Sequence, residues 1–175
     1  KVSVFTMCLL DYLWPGGDDN NTVAAFKYQT LKMALMHDFD EAILRRDITH
    51  ELKYNAYNGS ELRNVLDEFV AHQVADEFGD DSVVSKTLSK DAPYYDVAHA
   101  IVKVADWMAL MYFLKRELAM GNRSWPLNLL PYCKESYRKA VSTLQSTCVS
   151  ADICEQDRLL YVWVGAINDL QNDII

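Results

Sequence analysis

An imidazole and a carboxylate stand side by side at His37–Asp38, at the end of the apolar run Leu31–Lys32–Met33–Ala34–Leu35–Met36. A divalent metal accepts both groups as ligands, and both are costly to hold beside Met and Leu without a partner. Glu41 and Asp47 follow, and a further carboxylate, Asp106, interrupts the apolar string Ile101–Val102, Val104–Ala105, Trp107–Met108, Leu110–Met111. Such residues suit metal-dependent hydrolysis. A divalent ion acidifies water, while a nearby carboxylate positions the nucleophile. Plainer readings stand beside this one. A His-Asp dipeptide arises by chance, and Asp106 shares a helical stripe with Lys103 and His99, so a simple ion pair with Lys103 or with a distant Arg is the plainer account of it. His50 reads as a loop residue, His72 flanks an apolar face and His99 is an ordinary interior or surface histidine, so spacing brings no further imidazole to the site.

The elements that must position these groups are helical, with almost no alternating strand pattern. Val2, Phe5, Cys8, Leu9 and Tyr12 fall at helical spacing, and Trp14 to Asn21 reads as a polar loop. Thr22 is placed to cap a second helix that runs through Phe26, Leu31 and Leu35 into His37, where neighbouring side chains diverge by about 100° yet still reach one ion across the helix end. A short helix is expected over Asp40 to Leu44. Ser60 is a suitable N-cap for a helix whose face is Leu62, Val65, Leu66, Phe69, Val70 and Gln73, ended by Gly79. Asp80 to Tyr95 is mixed, with a turn of helix around Ser82 to Leu88. A long helix from about Asp96 to Met120 stops at Gly121–Asn122, and two more are expected, one after Pro131 and one after Ser150. The pattern predicts one all-α domain over residues 1–175, built as a helical bundle.

Composition bounds the partners. The 175 residues are half hydrophobic and suffice for a substantial core, and the net charge of -8 argues against a general nucleic-acid-binding surface. Cys8, Cys133, Cys148 and Cys154 show no metal-ribbon spacing, so free thiols and a cytoplasmic location are expected. The longest apolar stretch, Leu159 to Ile167, is about half of a bilayer span, so no membrane association is expected.

The ordered motifs resemble the HD-domain phosphohydrolases. Ala34 to Ile43, with His37–Asp38 followed by Glu41, then Asp47–Ile48 and Leu52–Lys53–Tyr54–Asn55, is similar to their first signature. Ile101–Val102–Lys103–Val104–Ala105–Asp106 resembles their later Val-Lys-x-Ala-Asp helix. Met111 to Leu114 and Glu117 to Asn122 continue the likeness to the bacterial 5'-deoxynucleotidase branch. The likeness is strongest over about Thr30 to Asn55 and Asp96 to Asn122, while the C-terminal third matches only in being helical. The resemblance implies that His37, Asp38 and Asp106 are ligands of a divalent metal (Mn, Co, Fe, Ni, Zn or Mg) and that Glu41 is the catalytic acid managing the proton. It further implies that Asp47, Lys53 and, less closely, Asp91 lie on the substrate.

Two departures shape the expectation. The family's first His ligand falls, in this register, just upstream of Lys1, so the N-terminal segment carrying it is expected to be missing. Leu44–Arg45–Arg46–Asp47 stands where a turn one residue shorter is usual. Arg45 and Arg46 are either solvated or phosphate-gripping, since guanidinium suits bidentate phosphate contacts. The function implied is a metal-dependent 5'-nucleotidase acting on deoxynucleoside 5'-monophosphates. A dNTP triphosphohydrolase and a non-catalytic HD-fold module binding a nucleotide or protein are the alternatives. A homo-oligomer is expected.

Overall fold

The computed structural model of the chain describes residues 1–14, 21–38, 59–79 and 94–150. Every described element is a helix: α1 (Val2–Leu13), α2 (Asn21–Leu35), α3 (Gly59–Phe78), α4 (Tyr95–Ala119) and α5 (Ser124–Ser150). The fold is all-α. The expected helices over Asp40 to Leu44, Ser82 to Leu88 and beyond Ser150 lie outside the described residues. The chain divides into two compact units, one formed by Lys1–Ala34 with Pro93–Ile175 and the other by Leu35–Ala92.

In the first unit α4 is central and packs against α1 and α5. Its buried residues are Val97, Ala98, Ala100, Ile101, Val102, Val104, Ala105, Ala109, Met111 and Leu114, more than half of its circumference. Four of these are Ala, which lets neighbouring backbones come close. The helix is long and apolar enough to cross a bilayer, and its apolar arc is the core of this unit. From α5, Cys133, Tyr137, Ala140, Val141, Leu144 and Cys148 enter the same core at steps of three and four residues. Met33 and Ala34 of α2 join them. Trp14 and Tyr94 bracket Phe26 edge-on, at centroid distances of 5.2 Å and 5.9 Å, and Lys27 reaches Asp11 at 3.5 Å.

Two expectations about this core change. The buried face of α1 is Val2, Thr6, Leu9, Leu10 and Leu13, and Cys8 and Tyr12 are exposed. Apolar residues occur nearly all round α1, so spacing left its rotation open. Pro131 lies inside α5, which starts at Ser124. A helix-interior Pro forfeits the bond to the carbonyl four residues back, here that of Leu127. Both Pro131 and Leu127 are exposed, where water compensates, and the long apolar face carries the helix through.

The end of α4 is closed as the sequence suggests. The Gly121 N–H donates to the Leu118 carbonyl and the Asn122 N–H to that of Glu117, both at 3.0 Å. That pairing is a Schellman motif, and it places Gly121 at φ +89. An added Cβ there meets nothing within 4 Å, so only backbone strain opposes it. Gly121→Ala is therefore expected to cost about 1 kcal/mol in urea denaturation.

The core also holds polar atoms. Among the described residues, the Thr6 Oγ1 and Tyr137 hydroxyl are buried without a hydrogen-bond partner. Burial pushes the Tyr137 phenol well above its ordinary pKa. An unpaired buried hydroxyl opposes folding, so Tyr137→Phe should raise stability by about 1 kcal/mol, read as an increased denaturation midpoint. Cys133 and Cys148 are buried thiols, whereas Cys8 is an exposed one and Cys154 lies outside the described residues. Burial pushes the Cys133 thiol from 9.0 up to about 11. A raised thiol pKa favours the folded state fully below pH 9.0, and that contribution is lost as pH climbs to about 11. Denaturation midpoints measured across that window should fall, and should fall less in Cys133→Ala.

In the second unit α3 buries Val70 and Val74, one turn apart, while Val65 and Phe69 are exposed. Its stop at Gly79 is as expected: φ is +83 and the N–H donates to the Ala75 carbonyl at 2.8 Å.

Candidate functional site

The His37–Asp38 pair belongs to the second unit and Asp106 to the first. α2 ends at Leu35, so His37 and Asp38 lie in the turn that follows and not on the helix itself. The helical divergence of about 100° between neighbours therefore does not apply to them. In the turn the side chains converge, with His37 Nε2 2.8 Å from Asp38 Oδ2. The imidazole is mostly covered and the carboxylate more than half open. A proton bridges such a pair readily. The contact satisfies the two side chains by each other, and both are of types that a divalent metal accepts. Among the described residues no three His, Cys, Asp or Glu side chains form a group able to hold a metal ion.

Asp106 differs from the buried carboxylate that its apolar neighbours suggest. Its side chain is 35% exposed and accepts a bond of 3.1 Å from Lys103 Nζ. Helix geometry explains this. Val97, Ile101, Val104 and Ala105 face the core, and Asp106 lies on the uncovered arc with Lys103 and His99. Lys103 also sits over the Trp107 ring, 5.7 Å from its centroid, and Trp107 meets Tyr132 of α5 edge-on at 5.8 Å. Trp107 itself packs against the core, so the open arc of α4 presents the acid and its cation, with the aromatic pair at their edge.

Two of the other three histidines have ordinary partners. His99 stacks on Tyr95 at 5.8 Å with the rings nearly parallel. His72 is exposed, with Nδ1 2.8 Å from the Glu68 carbonyl oxygen. His50, together with Glu41, Arg45, Arg46, Asp47, Lys53 and Asp91, lies outside the described residues.

A shallow groove of about 280 Å³ runs between α4 and α5, lined by Asp96, His99, Ala100, Thr143, Ser146 and Thr147. Its hydroxyls are engaged within α5: Thr143 donates to the Lys139 carbonyl, and Ser146 and Thr147 to that of Thr143. Neither this groove nor the Trp107–Tyr132 corner was singled out in the sequence. The available signal for the corner was an aromatic residue directly after the acid of an otherwise aliphatic helix. Compared with protein-family models, curated proteins and solved structures, the chain gives no match.

Proposed function

We propose that the chain is a metal-dependent phosphohydrolase of the HD type, acting on deoxynucleoside 5'-monophosphates. The observation that carries this reading is the convergence of His37 Nε2 and Asp38 Oδ2 at 2.8 Å, in a partly open turn at the end of an apolar helix. The resemblance alone makes Asp106, on α4, the proposed third ligand. A divalent ion held by these groups would acidify water and offset charge on the phosphoryl oxygens. The resemblance assigns the roles of the protein groups, and their chemistry suits them. His37 supplies a neutral nitrogen donor, and Asp38 and Asp106 supply anionic oxygens. Glu41 takes the proton of the attacking water or gives one to the departing oxygen. Lys103 lies against Asp106, 3.1 Å from its carboxylate. Asp47, Lys53 and Asp91 are proposed substrate contacts, with Arg45 and Arg46 reserved for longer phosphate chains.

Incubating the full chain with Mn, Co or Mg and either dAMP or dATP tests the reading by product chromatography. Deoxyadenosine and phosphate from dAMP, abolished by chelation, is the expected result. Deoxyadenosine and tripolyphosphate from dATP would assign the triphosphohydrolase reading instead, with an Arg45→Ala, Arg46→Ala double variant losing that preference. A second reading, a non-catalytic nucleotide-binding module, draws on the Lys103–Asp106 pair, which satisfies the acid without a metal. No phosphate release with any of these ions, from a folded protein that still binds nucleotide, would establish it over the enzyme.

A further inference from the structure

Where α4 turns into α5 the surface of the first unit is apolar, aromatic and basic at once. Every residue from 119 to 125 is exposed. Met120 and Trp125 are 57% and 43% exposed there, and the Trp125 ring meets that of Phe113 at 5.8 Å. Lys1 Nζ lies 5.8 Å from the Tyr112 and Phe113 ring centroids, yet these residues remain 53% and 38% exposed. Lys115 and Arg116 are exposed three and four residues past Tyr112, and Arg123 is exposed between Met120 and Trp125. The nearby acid, Glu117, accepts a bond of 2.7 Å from Asn122 Nδ2. Residues 107–150 hold six of the 17 Lys and Arg but two of the 25 Asp and Glu, a local excess of +4 in a chain of net charge -8.

We propose that this corner docks on an anionic lipid surface, with Met120 and Trp125 entering the headgroup boundary and Lys115, Arg116 and Arg123 meeting the lipid charge. Charge complementarity decides the occupant. A chain of net charge -8 is repelled by an anionic surface, so contact is favoured only where the local balance reverses, as it does here. Indole and phenol rings suit the boundary because each joins an apolar body to a polar tip. Lys and Arg lay their stems along apolar surface and keep their charge at the headgroups. A second copy fits less well, since a two-fold contact through this corner would set the same cations against one another. An acidic protein needs a broader face than one helix corner offers. The docking is peripheral: the apolar arc of α4 stays in the core. It does not depend on the phosphohydrolase reading.

Co-sedimentation of the full chain with phosphatidylcholine vesicles, with and without phosphatidylserine, tests the docking. Binding should require phosphatidylserine and fall steadily as salt is raised. A cation near such a surface contributes about a fivefold gain in partitioning, so the triple variant Lys115→Gln, Arg116→Gln, Arg123→Gln should bind roughly a hundredfold more weakly. Brominated lipid should quench tryptophan emission in the wild type. Trp125→Phe, which keeps a ring against Phe113, should still bind and lose that quenching. No binding, binding without phosphatidylserine, a triple variant that binds like the wild type, or equal quenching in Trp125→Phe would each overturn the proposal. So would a dimer in sedimentation velocity that Trp125→Ala dissociates, which would assign the corner to a second copy. The altered side chains are exposed, so the variants should keep the wild-type denaturation midpoint. Should the triple variant not fold, the phosphatidylserine and salt dependence of the wild type decides.

Discussion

Asp106→Ala is expected to lower phosphate release from deoxynucleotides by about a thousandfold, the order of effect of losing a metal's several kcal/mol of charge stabilisation. The same change should lower stability by less than about 1 kcal/mol, because the Asp106–Lys103 pair is more than one-third exposed on both sides and such pairs contribute little. The two readouts together make the result diagnostic. A structural acid would show its cost in the denaturation midpoint and spare the rate. A ligand to the proposed metal would do the reverse, and tightly bound metal should fall in parallel. Asp106→Asn sharpens the contrast, since it keeps the shape and a hydrogen bond to Lys103 while removing the anion. Undiminished turnover in both variants would sink the assignment of Asp106.

Leu114→Ala should have the largest effect on stability. Leu114 is 0% exposed and shares the cluster that joins α1, α4 and α5. Large-to-small changes at such sites cost about 2–5 kcal/mol, because the cavity left behind collapses only in part. For a chain of this length that is a fall in Tm of roughly 10 °C, measurable by circular dichroism. Leu35→Ala is the control. That residue is 72% exposed, so its removal should change stability by no more than about 0.5 kcal/mol. Equal losses at the two positions would contradict the packing described.

The long helix was legible because its apolar residues recur over seven turns and a Gly-Asn stop follows; α4 starts and ends within a residue of expectation. Gly79 was legible for the same reason, a residue that takes positive φ cheaply. Where periodicity was weak, the sequence misled. α1 is apolar nearly all round, so its buried face rests on packing with α4. Pro131 reads locally as a helix start, and only the buried steps from Cys133 to Cys148, with Pro126 already in the first turn, show why α5 begins earlier. For the site, residue types were legible and geometry was not. The contact between His37 and Asp38 depends on α2 ending at Leu35, and the exposure of Asp106 depends on which arc α1 and α5 cover. Trp107 gave no periodic signal, since an aromatic residue on a rim looks like one in a core.

The burial of α4 between α1 and α5 has a kinetic consequence. Amides in the middle of a helix covered by its neighbours exchange with solvent deuterium only when the whole unit opens, whereas those of thinly packed segments exchange through local openings. The backbone under Lys103, Asp106 and Trp107 should therefore be among the slowest of the described residues to exchange, even though those three side chains stand partly in water. The proposed ligand and its neighbours would then ride on a slowly opening backbone.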